Sequence, residues 1–406
     1  MDFKDSPEEG AFRREVRDFI QTECPPELKT ARRAAGFGFD VSDRAAAMET
    51  WRKKLAARGW VAPAWPKEYG GGGMTAFQQF VFHAELAEAR VPAVPAGIGI
   101  GMAGPTFIVH GSEEQKRTYL PGTLSGEIQW CQLWSEPEAG SDLASLQTAA
   151  VREGDDYVIS GTKVWTSAAR QAHMGILLAR TNPEAPKHRG ITFFIVDMKS
   201  PGITVLPLTK IPGSEGYQLA LTGGQGFNSV YLDSVRVPAK NIVGEVDRGW
   251  YVNTTTLDFE RSSIGTTLGT KHAVIDLARF AREAVKDGVS MLERDPLVRL
   301  ELADRLIEAE TSLMLSLRVA HLQNRGLVPN HEASMVKLFS SELIQRIGRT
   351  EMKVVGLYGQ LVGERAPNRG RHAASYIGSL SATLAGGTSE IQRNIIAQRG
   401  LGLPRD

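Results

Sequence analysis

The spacing of apolar residues changes its period twice along this chain of 406 residues. Residues 1–128 and 245–406 carry apolar side chains three and four positions apart, which is the spacing of one face of an α-helix. Residues 129–240 instead contain short runs rich in valine, isoleucine, threonine and aromatic residues, separated by Gly-Asp, Pro-Gly and Gly-Gly pairs. Such runs are typical of β-strands and turns. The chain is therefore predicted to fold as helices, then a β domain, then helices.

The same patterns predict individual elements and three domains. The predicted domains are an N-terminal helical domain (1–128), a middle β domain (129–240) and a C-terminal helical domain (241–406). The predicted helices are 11–21, 45–58, 76–88, 250–287, 296–323, 332–362 and one from about 389, and the predicted strands are 156–160, 163–167, 174–179, 192–197 and 229–232.

Composition and charge argue against several classes of protein. The chain is 42% hydrophobic and 23% charged, with a net charge of +1. A balance so close to zero gives no electrostatic basis for binding nucleic acid. Only Cys24 and Cys131 occur, so neither a disulfide framework nor a cysteine-based zinc site is indicated, and no metal site is predicted. The acidic start MDFKDSPEEG is unlike a secretory signal, and we expect a reducing, cytoplasmic setting.

One uncharged segment, residues 91–110, is about long enough to span a bilayer. It contains three prolines and four glycines, so we expect a bent, buried helix–loop segment and no membrane insertion. Its Gly99-x-Gly101-x-x-Gly104 spacing matches a dinucleotide fingerprint. The upstream prolines disfavour the strand that must precede such a fingerprint, so no dinucleotide site is predicted there.

The most specific motif is LWSEPEAGSD, residues 133–142. A flavin needs hydrogen bonds at its pyrimidine edge and a close approach of backbone, which a serine hydroxyl and a Gly-Ser backbone supply without bulk. A lone Ser-Glu-Pro would indicate only a turn. These residues, however, resemble the acyl-CoA dehydrogenase signature (Ser/Thr)-Glu-Pro-x-Ala-Gly-Ser-Asp at every specified position. The resemblance implies FAD contacts at Gln132, Trp134, Ser135, Gly140 and Ser141, with Ser141 also contacting substrate.

A second motif, GTKVWTS at residues 161–167, resembles the family strand Gly-x-Lys-x-Trp-Ile-(Thr/Ser)-Asn. The resemblance implies that Trp165 packs against the isoalloxazine ring and that the hydroxyl of Ser167 bonds the flavin near N5. The family asparagine is replaced here by Ala168. Taken alone, a tryptophan on a strand would more often belong to the core.

The segment LAGGTSEIQRNIIAQR, residues 384–399, resembles the turn that faces flavin and substrate in the same family. Many members carry the catalytic glutamate where this chain has Gly386. Either the chain is inactive or its base lies elsewhere. The resemblance implies that the backbone N–H of Gly386 still stabilises the enolate oxygen and that Thr388 and Glu390 contact FAD. The missing side chain would suit a bulky or branched acyl group.

The alternative position for the base lies in LDFER, residues 257–261. A Glu-Arg pair on a helix usually marks a solvated face. Isovaleryl-type and long-chain-type members, however, hold the base immediately before this arginine, and Glu260 stands there in this chain. Asp258 and Arg261 are then candidates for contacts with CoA and the acyl pocket, or simple salt-bridge partners. A glutamate with an unperturbed pKa of about 4.3 is a poor base for an α-proton, and desolvation beside flavin and acyl chain raises that pKa.

Two elements depart from the family pattern. The family's Arg-x-x-Phe-Gly is LERDP here, residues 292–296, and its Gln-x-x-Gly-Gly-x-Gly is KVVGLYG, residues 353–359. In the family both elements hold the adenine half of FAD across a subunit interface. FAD sites are therefore expected to be fewer than one per chain, or to be shared with a different partner subunit.

Taken together, the resemblance implies an α+β fold: an N-terminal α-helical domain, a middle antiparallel β domain and a C-terminal four-helix bundle. It implies an FAD-dependent acyl-CoA dehydrogenase of lipid degradation with Glu260 as base. The expected partners are an acyl-CoA substrate, an electron-transfer flavoprotein, and either a homodimer, a homotetramer or a heterotetramer with a related subunit. Two alternatives stay open: a flavin oxidase or monooxygenase on the same fold, and a non-catalytic subunit that completes a partner's FAD site.

Overall fold

The computed structural model describes residues 5–30, 41–94, 96–209, 226–260, 264–361 and 365–404. By compactness the chain divides into two units. The first comprises Met1–Pro66, Gly71–Val94 and Arg261–Asp406, and the second comprises Lys67–Gly70 and Pro95–Glu260. These two units group residues by how closely they pack, which does not test the predicted domain boundaries. The boundaries after residues 128 and 240 therefore stay sequence predictions.

Helices dominate the first unit and flank the sheet in the second. The α-helices of the described residues are α1 (Pro7–Glu23), α2 (Pro26–Thr30), α3 (Val41–Ala56), α4 (Ala76–Glu88), α5 (Gly104–His110), α6 (Glu113–Ser125), α7 (Gly249–Glu260), α8 (Ile264–Glu283), α9 (Met291–Arg294), α10 (Pro296–Asn324), α11 (His331–Val355), α12 (Arg371–Ser379) and α13 (Ser389–Ile395). The strands are β1 (Trp130–Leu133), β2 (Ala149–Glu153), β3 (Asp156–Ser167), β4 (Met174–Arg180), β5 (Ile191–Asp197), β6 (Ile203–Pro207), β7 (Phe227–Pro238) and a short hairpin of β8 (Val285–Lys286) with β9 (Val289–Ser290).

Local sequence explains where several helices begin. Ser6, Thr75 and Ser112 each accept a hydrogen bond from a backbone N–H three residues on, and the side chain at that position bonds back, forming capping boxes for α1, α4 and α6. Asp295 caps α10 by accepting from the backbone N–H groups of Leu297 and Val298 at 3.0 and 3.1 Å. The starts of these four helices are therefore determined by local sequence and do not require tertiary packing.

The first unit joins N-terminal and C-terminal helices in one core. Phe80 and Val81 of α4 pack with Leu268 of α8 and with Leu313 and Ala320 of α10. Glu85 of α4, which is 5% exposed, lies between two arginines of α1. Arg13 and Arg17 reach its carboxylate at 2.9 and 3.0 Å, so a buried acidic residue is neutralised from two sides.

The second unit is built around a seven-stranded sheet in the order β1-β4-β2-β3-β7-β6, with β5 paired to β4. The pairs β2–β3, β3–β7, β4–β5 and β6–β7 are antiparallel, whereas β1–β4 and a single β2–β4 pairing are parallel. Strand β5 is buried along almost its whole length, and Phe194 at its centre packs edge-on against Tyr157 of β3 at 5.3 Å between ring centroids. The core therefore lies under β3, β4 and β5.

The predicted fold class is confirmed: helical N-terminal and C-terminal domains flank a middle β domain. The sheet is mostly antiparallel as expected and adds the parallel pairing of β1. The predicted strands 156–160 and 163–167 are one continuous strand, β3, and the short strands β1, β2, β6, β8 and β9 were not predicted. The predicted helix 250–287 is wrong at its end, where residues 285–286 form β8. Within residues 91–110, a bent helical segment begins at Gly99 and buries Met102 and Phe107, as expected. Across the described residues, no helix is long and apolar enough to cross a membrane.

We expect Phe194→Ala to lower the free energy of unfolding by about 3–5 kcal/mol, because it removes a fully buried ring from the centre of the sheet core. Val151→Ala on β2 is the matched control, since Val151 is 61% exposed, and its effect should stay within about 0.5 kcal/mol. Chemical denaturation followed by circular dichroism measures both. Equal losses for the two variants would contradict the placement of the core.

Candidate functional site

Strand β3 is irregular where the second motif lies. Its register against β7 shifts between Lys163 and Thr166. Within this shift Trp165 has a φ of 60°, which is uncommon for a residue with a side chain. The side chain of Trp165 is 63% exposed and meets Phe227 edge-on at 6.1 Å between ring centroids. A large aromatic ring held outward by a strained backbone is a candidate contact for another ring system.

The first motif lies directly beside this irregular stretch. Strand β1 ends at Leu133, and the chain continues through buried Trp134 to half-buried Ser135. The carbonyl of Ser135 accepts a hydrogen bond from the backbone N–H of Val164 at 2.9 Å. The two motifs, far apart in sequence, therefore meet in the second unit. Gln132 lies on β1 opposite Ile176 of β4 and is half-buried.

A tight turn follows Ser135. Glu136 and Ala139 exchange two backbone hydrogen bonds, of 3.0 and 3.1 Å, which close the turn. Gly140 and Ser141 come next and are exposed. A Cβ atom added to Gly140 would meet nothing within 4 Å. The backbone of these two residues therefore faces open space in which a ligand can approach closely.

A buried ion pair lies behind this surface. The ammonium of Lys163, which is fully buried, donates to Oε1 of Glu136 at 2.8 Å, to the carbonyl of Trp134 at 3.1 Å and to the carbonyl of Leu178 at 2.8 Å. The carboxylate of Glu136 also accepts from the backbone N–H of Thr148 at 2.9 Å, from its hydroxyl at 2.5 Å, and from the backbone N–H of Gln147 at 2.7 Å. Every proton of the ammonium has an acceptor.

Burial and charge act in opposite directions on this pair. Burial lowers the pKa of Lys163 to about 8, against the attraction of Glu136, which favours the charged form. Burial alone would raise the pKa of Glu136, but the Lys163 ammonium and the hydrogen bonds from Thr148 and Gln147 outweigh it and hold that pKa below its usual value. Both residues are therefore charged at neutral pH.

Lys163 and Glu136 lie within the two sequence motifs, but the sequence analysis predicted no role for either residue. A signal was present, because Lys163 shares the inward face of β3 with Ile159, and a charge on such a face requires a partner. The identity of that partner depends on how β1 and β3 are placed in the sheet, which local patterns do not reveal.

Several polar side chains of the two motifs lack a hydrogen-bond partner among the described residues. In the part of the chain that the structure describes, the buried indole Nε1 of Trp134 and the buried hydroxyl of Thr166 have no hydrogen-bond partner. Nor do the hydroxyls of Ser135, Ser141 and Ser167 bond any described residue. Ser141 is exposed and Ser135 and Ser167 are half-buried, so their hydroxyls are available to a ligand with hydrogen-bonding groups, whereas the Trp134 and Thr166 atoms are buried.

The C-terminal turn belongs to the first unit and is shaped by its own contacts. Gly386 and Gly387 have φ values of 65° and 87°, a region that favours glycine. The amide of Gln392 donates to the carbonyl of Gly386 at 3.0 Å, and the ammonium of Lys337 donates to the carbonyl of Gly387 at 2.5 Å. Thr388 then caps α13 by accepting from the backbone N–H of Ile391 at 3.3 Å.

Glu390 lies exposed in the first turn of α13, beside a cavity of about 370 Å³ whose lining includes Arg346, Arg349 and Arg393. Hydrogen bonds at the helix start, from its own backbone N–H and from the Thr388 hydroxyl, lower the pKa of Glu390, and the charge of Arg393 adds to this effect. Glu390 is therefore an ionised acceptor. Glu342, which also lines this cavity, binds Arg393 at 2.5 Å.

The predicted base lies at the end of α7, whose backbone is described through Glu260. The side chains of Asp258 and Glu260, and all of Arg261, lie outside the described residues. The preceding part of α7 is fixed against α5 in the second unit. The hydroxyls of Thr106 and Thr256 lie 2.6 Å apart, and Nε2 of His110 lies 2.9 Å from the hydroxyl of Thr255.

Comparison with known proteins agrees with the motifs. Three family models match the chain: acyl-CoA dehydrogenase N-terminal domain at residues 6–127, middle domain at 131–223 and C-terminal domain at 247–401. Acyl-CoA dehydrogenase FadE34 of Mycobacterium tuberculosis is 39% identical over 90% of this chain, which spans about half of that protein (48%). FadE26 of the same organism is 34% identical over 98% of both chains.

Two solved structures show the same fold. The Tcur3481-Tcur3483 steroid ACAD matches with a TM-score of 0.81 and 31% identity, over 100% of both chains. The ChsE4-ChsE5 complex from Mycobacterium tuberculosis matches with a TM-score of 0.79 and 34% identity, again over 100% of both chains.

We expect Gly161→Ala to destabilise the protein by about 1–3 kcal/mol, because a Cβ there would lie 2.4 Å from the hydroxyl of Thr148, the residue that bonds Glu136. Gly140→Ala is the control, since its added methyl meets nothing, and it should change stability by no more than about 0.5 kcal/mol. Thermal unfolding of the two purified variants tests this difference. A destabilising Gly140→Ala together with a neutral Gly161→Ala would refute the described packing of the site.

Proposed function

Because this chain belongs to the acyl-CoA dehydrogenase family of oxidoreductases, we propose that it uses FAD to oxidise the Cα–Cβ bond of an acyl-CoA thioester to a 2-enoyl-CoA. The observation that carries the proposal is the meeting of Ser135 with the irregular stretch that presents Trp165. The backbone bond between Val164 and Ser135 links the loop of the first motif to the stretch that presents the exposed ring of Trp165, which supports a flavin site in this part of the second unit.

The residues proposed to hold FAD act in different ways. Ser135, Ser141 and Ser167 offer hydroxyls, Gly140 allows close approach of backbone, and Trp165 offers an aromatic face. Gln132, Trp134, Thr388 and Glu390 complete the proposed set. When bound, FAD supplies a hydride acceptor at N5. The protein then has to orient the thioester, exclude water and remove the α-proton.

Glu260 is the proposed base. Helix α7 carries this residue at its end, the position used by family members that lack the glutamate of the C-terminal turn. Desolvation between the ring system and an acyl chain would raise the pKa of this carboxyl toward the range in which a base of this kind works. Asp258 and Arg261 are proposed contacts for substrate beside it.

Gly386 is proposed to keep an electrostatic role without a side chain. A backbone N–H directed at the thioester oxygen stabilises the enolate that develops as the α-proton leaves. The absence of a side chain at residue 386 widens the space for the acyl group. Together with the similarity to a solved steroid ACAD, this supports a bulky or ring-bearing thioester as substrate.

A related subunit is the proposed partner, with an electron-transfer flavoprotein as electron acceptor. In place of the family glutamine, Lys353 is engaged by Glu301 of the same chain at 2.7 Å. In the other altered element, Asp295 caps α10 and Glu293 closes a capping box with Ser290. Lys353 therefore links α11 to α10, and Glu293 and Asp295 act in helix caps. The similar structures Tcur3481-Tcur3483 and ChsE4-ChsE5 are each named as pairs, which supports a mixed assembly.

The same observations favour a second candidate, a subunit that completes the FAD site of its partner without catalysis of its own. The two candidates differ at Glu260, which a non-catalytic subunit would not need.

Glu260→Gln is expected to retain bound FAD and yellow colour while losing reduction of the flavin by substrate by at least about a hundredfold, since general bases typically contribute that much. Anaerobic bleaching at 450 nm against a panel of acyl-CoAs, from short-chain to steroid-like, measures this and identifies the acyl class. Glu245→Gln, which removes an exposed carboxylate just before α7, is the control for charge and should bleach like wild type. Undiminished bleaching by Glu260→Gln would remove this residue as base.

The purified chain alone is expected to hold less than one FAD per polypeptide and to reach full occupancy only with a related subunit, because residues 292–296 and 353–359 depart from the family elements that hold FAD across an interface. Flavin absorbance against protein concentration, combined with mass by light scattering, measures both. A stable monomer carrying one FAD would contradict the shared site.

A further inference from the structure

The buried ammonium of Lys163 connects the two surfaces proposed to meet the flavin. On one side it holds the carbonyl of Trp134 and the carboxylate of Glu136, the residues that flank Ser135. On the other side Lys163 is the last regular residue of β3 before the register shift that presents Trp165. Val164, the next residue, binds the carbonyl of Ser135.

The contacts around Ser135 are thus consecutive. Trp134 is bonded by Lys163, Ser135 by Val164, and Glu136 again by Lys163, so three residues of the loop are fixed by two of the strand. The third acceptor, the carbonyl of Leu178, belongs to β4 and ties this point to the centre of the sheet. Few degrees of freedom remain for the backbone of Ser135.

We propose that Lys163 is a positioning residue for the flavin: its ammonium, paired with Glu136, holds Ser135 and Trp165 in the mutual arrangement in which both contact the ring. The proposal rests on the proposed FAD-dependent function. It assigns Lys163 no contact with flavin or substrate, since the side chain is fully buried.

Replacing Lys163 by an apolar residue distinguishes a positioning role from a contribution to folding stability alone. Lys163→Met leaves the carboxylate of Glu136 buried without its cation, so it should both destabilise the fold and weaken FAD binding. Lys163→Met combined with Glu136→Gln removes both charges and should regain part of the lost melting temperature, because no buried charge is then left unpaired. The carbonyl of Trp134 still lacks its donor in the double variant, so the Kd for FAD should stay about tenfold above wild type.

The dependence on pH supplies a second readout, because stability and flavin affinity should change in opposite directions. The pKa of Lys163 is lowered to about 8 in the folded protein, so the unfolded chain binds more protons above that pH and this residue's contribution to folding stability grows as pH rises. Positioning requires the charged form, so FAD affinity should fall over the same interval. Among the described residues, Glu136 is the charged group that faces Lys163; its other partners are neutral carbonyls.

The experiment uses the full chain, with the related subunit where that is needed to load FAD. Flavin fluorescence titrations between pH 7 and 9 give the Kd for wild type, Lys163→Met, the double variant and Arg236→Met, while thermal unfolding of the flavin-free forms gives stability. Arg236 is the control because its pair with Glu153 is exposed on the same sheet, at 60% and 51%.

The expected result is a Kd that rises above pH 8 in wild type and in Arg236→Met, and an elevated, pH-independent Kd in both Lys163 variants. Recovery of both stability and wild-type affinity in the double variant would overturn the positioning role and leave the proposed function standing. Wild type that binds no flavin in any assembly would overturn the proposed function and the positioning role together.

Discussion

The second unit depends on one buried contact, that between Lys163 and Glu136. A charge taken out of water costs several kcal/mol, and the attraction of a partner offsets this only with good geometry and further hydrogen bonds. Here the ammonium has three acceptors and the carboxylate has donors from Lys163, Thr148 and Gln147. An apolar pair of the same volume could be equally stable. It could not fix the direction of the Trp134 carbonyl, so the value of the ion pair lies in geometry.

The backbone fixed by Lys163 and Glu136 allows a strained residue, Trp165, to be held beside it. The positive φ of Trp165 persists because the residues on both sides are anchored. Before it, Val164 is bonded to Ser135, and after it, the carbonyl of Thr166 accepts from the amide of Asn228 at 2.9 Å, a residue that is fully buried. The side chain of Trp165 therefore faces outward by constraint. A flexible loop could present the same residue only with a larger entropic cost on binding.

Sequence was a good guide wherever the determining contacts are local. Helix α4 begins and ends where its pattern predicts, because Thr75 caps it and apolar spacing continues to Leu86. Strand β1 was missed because four residues carry little periodicity and its partner, β4, lies far along the chain and runs parallel. The pairing of Lys163 with Glu136 was missed for the same reason. The motif residues Ser135 and Trp165 were identified by resemblance. The hydrogen bond that joins their two motifs, from Val164 to Ser135, depends on how β1 and β3 are placed in the sheet.

The C-terminal turn shows why a catalytic side chain could move during evolution of such a site. The conformation at Gly386 and Gly387 is held by Gln392 and Lys337 through backbone carbonyls, and Thr388 fixes the start of α13. None of these contacts involves a side chain at residue 386. Loss of a carboxylate there leaves the turn, and hence its backbone donors, intact.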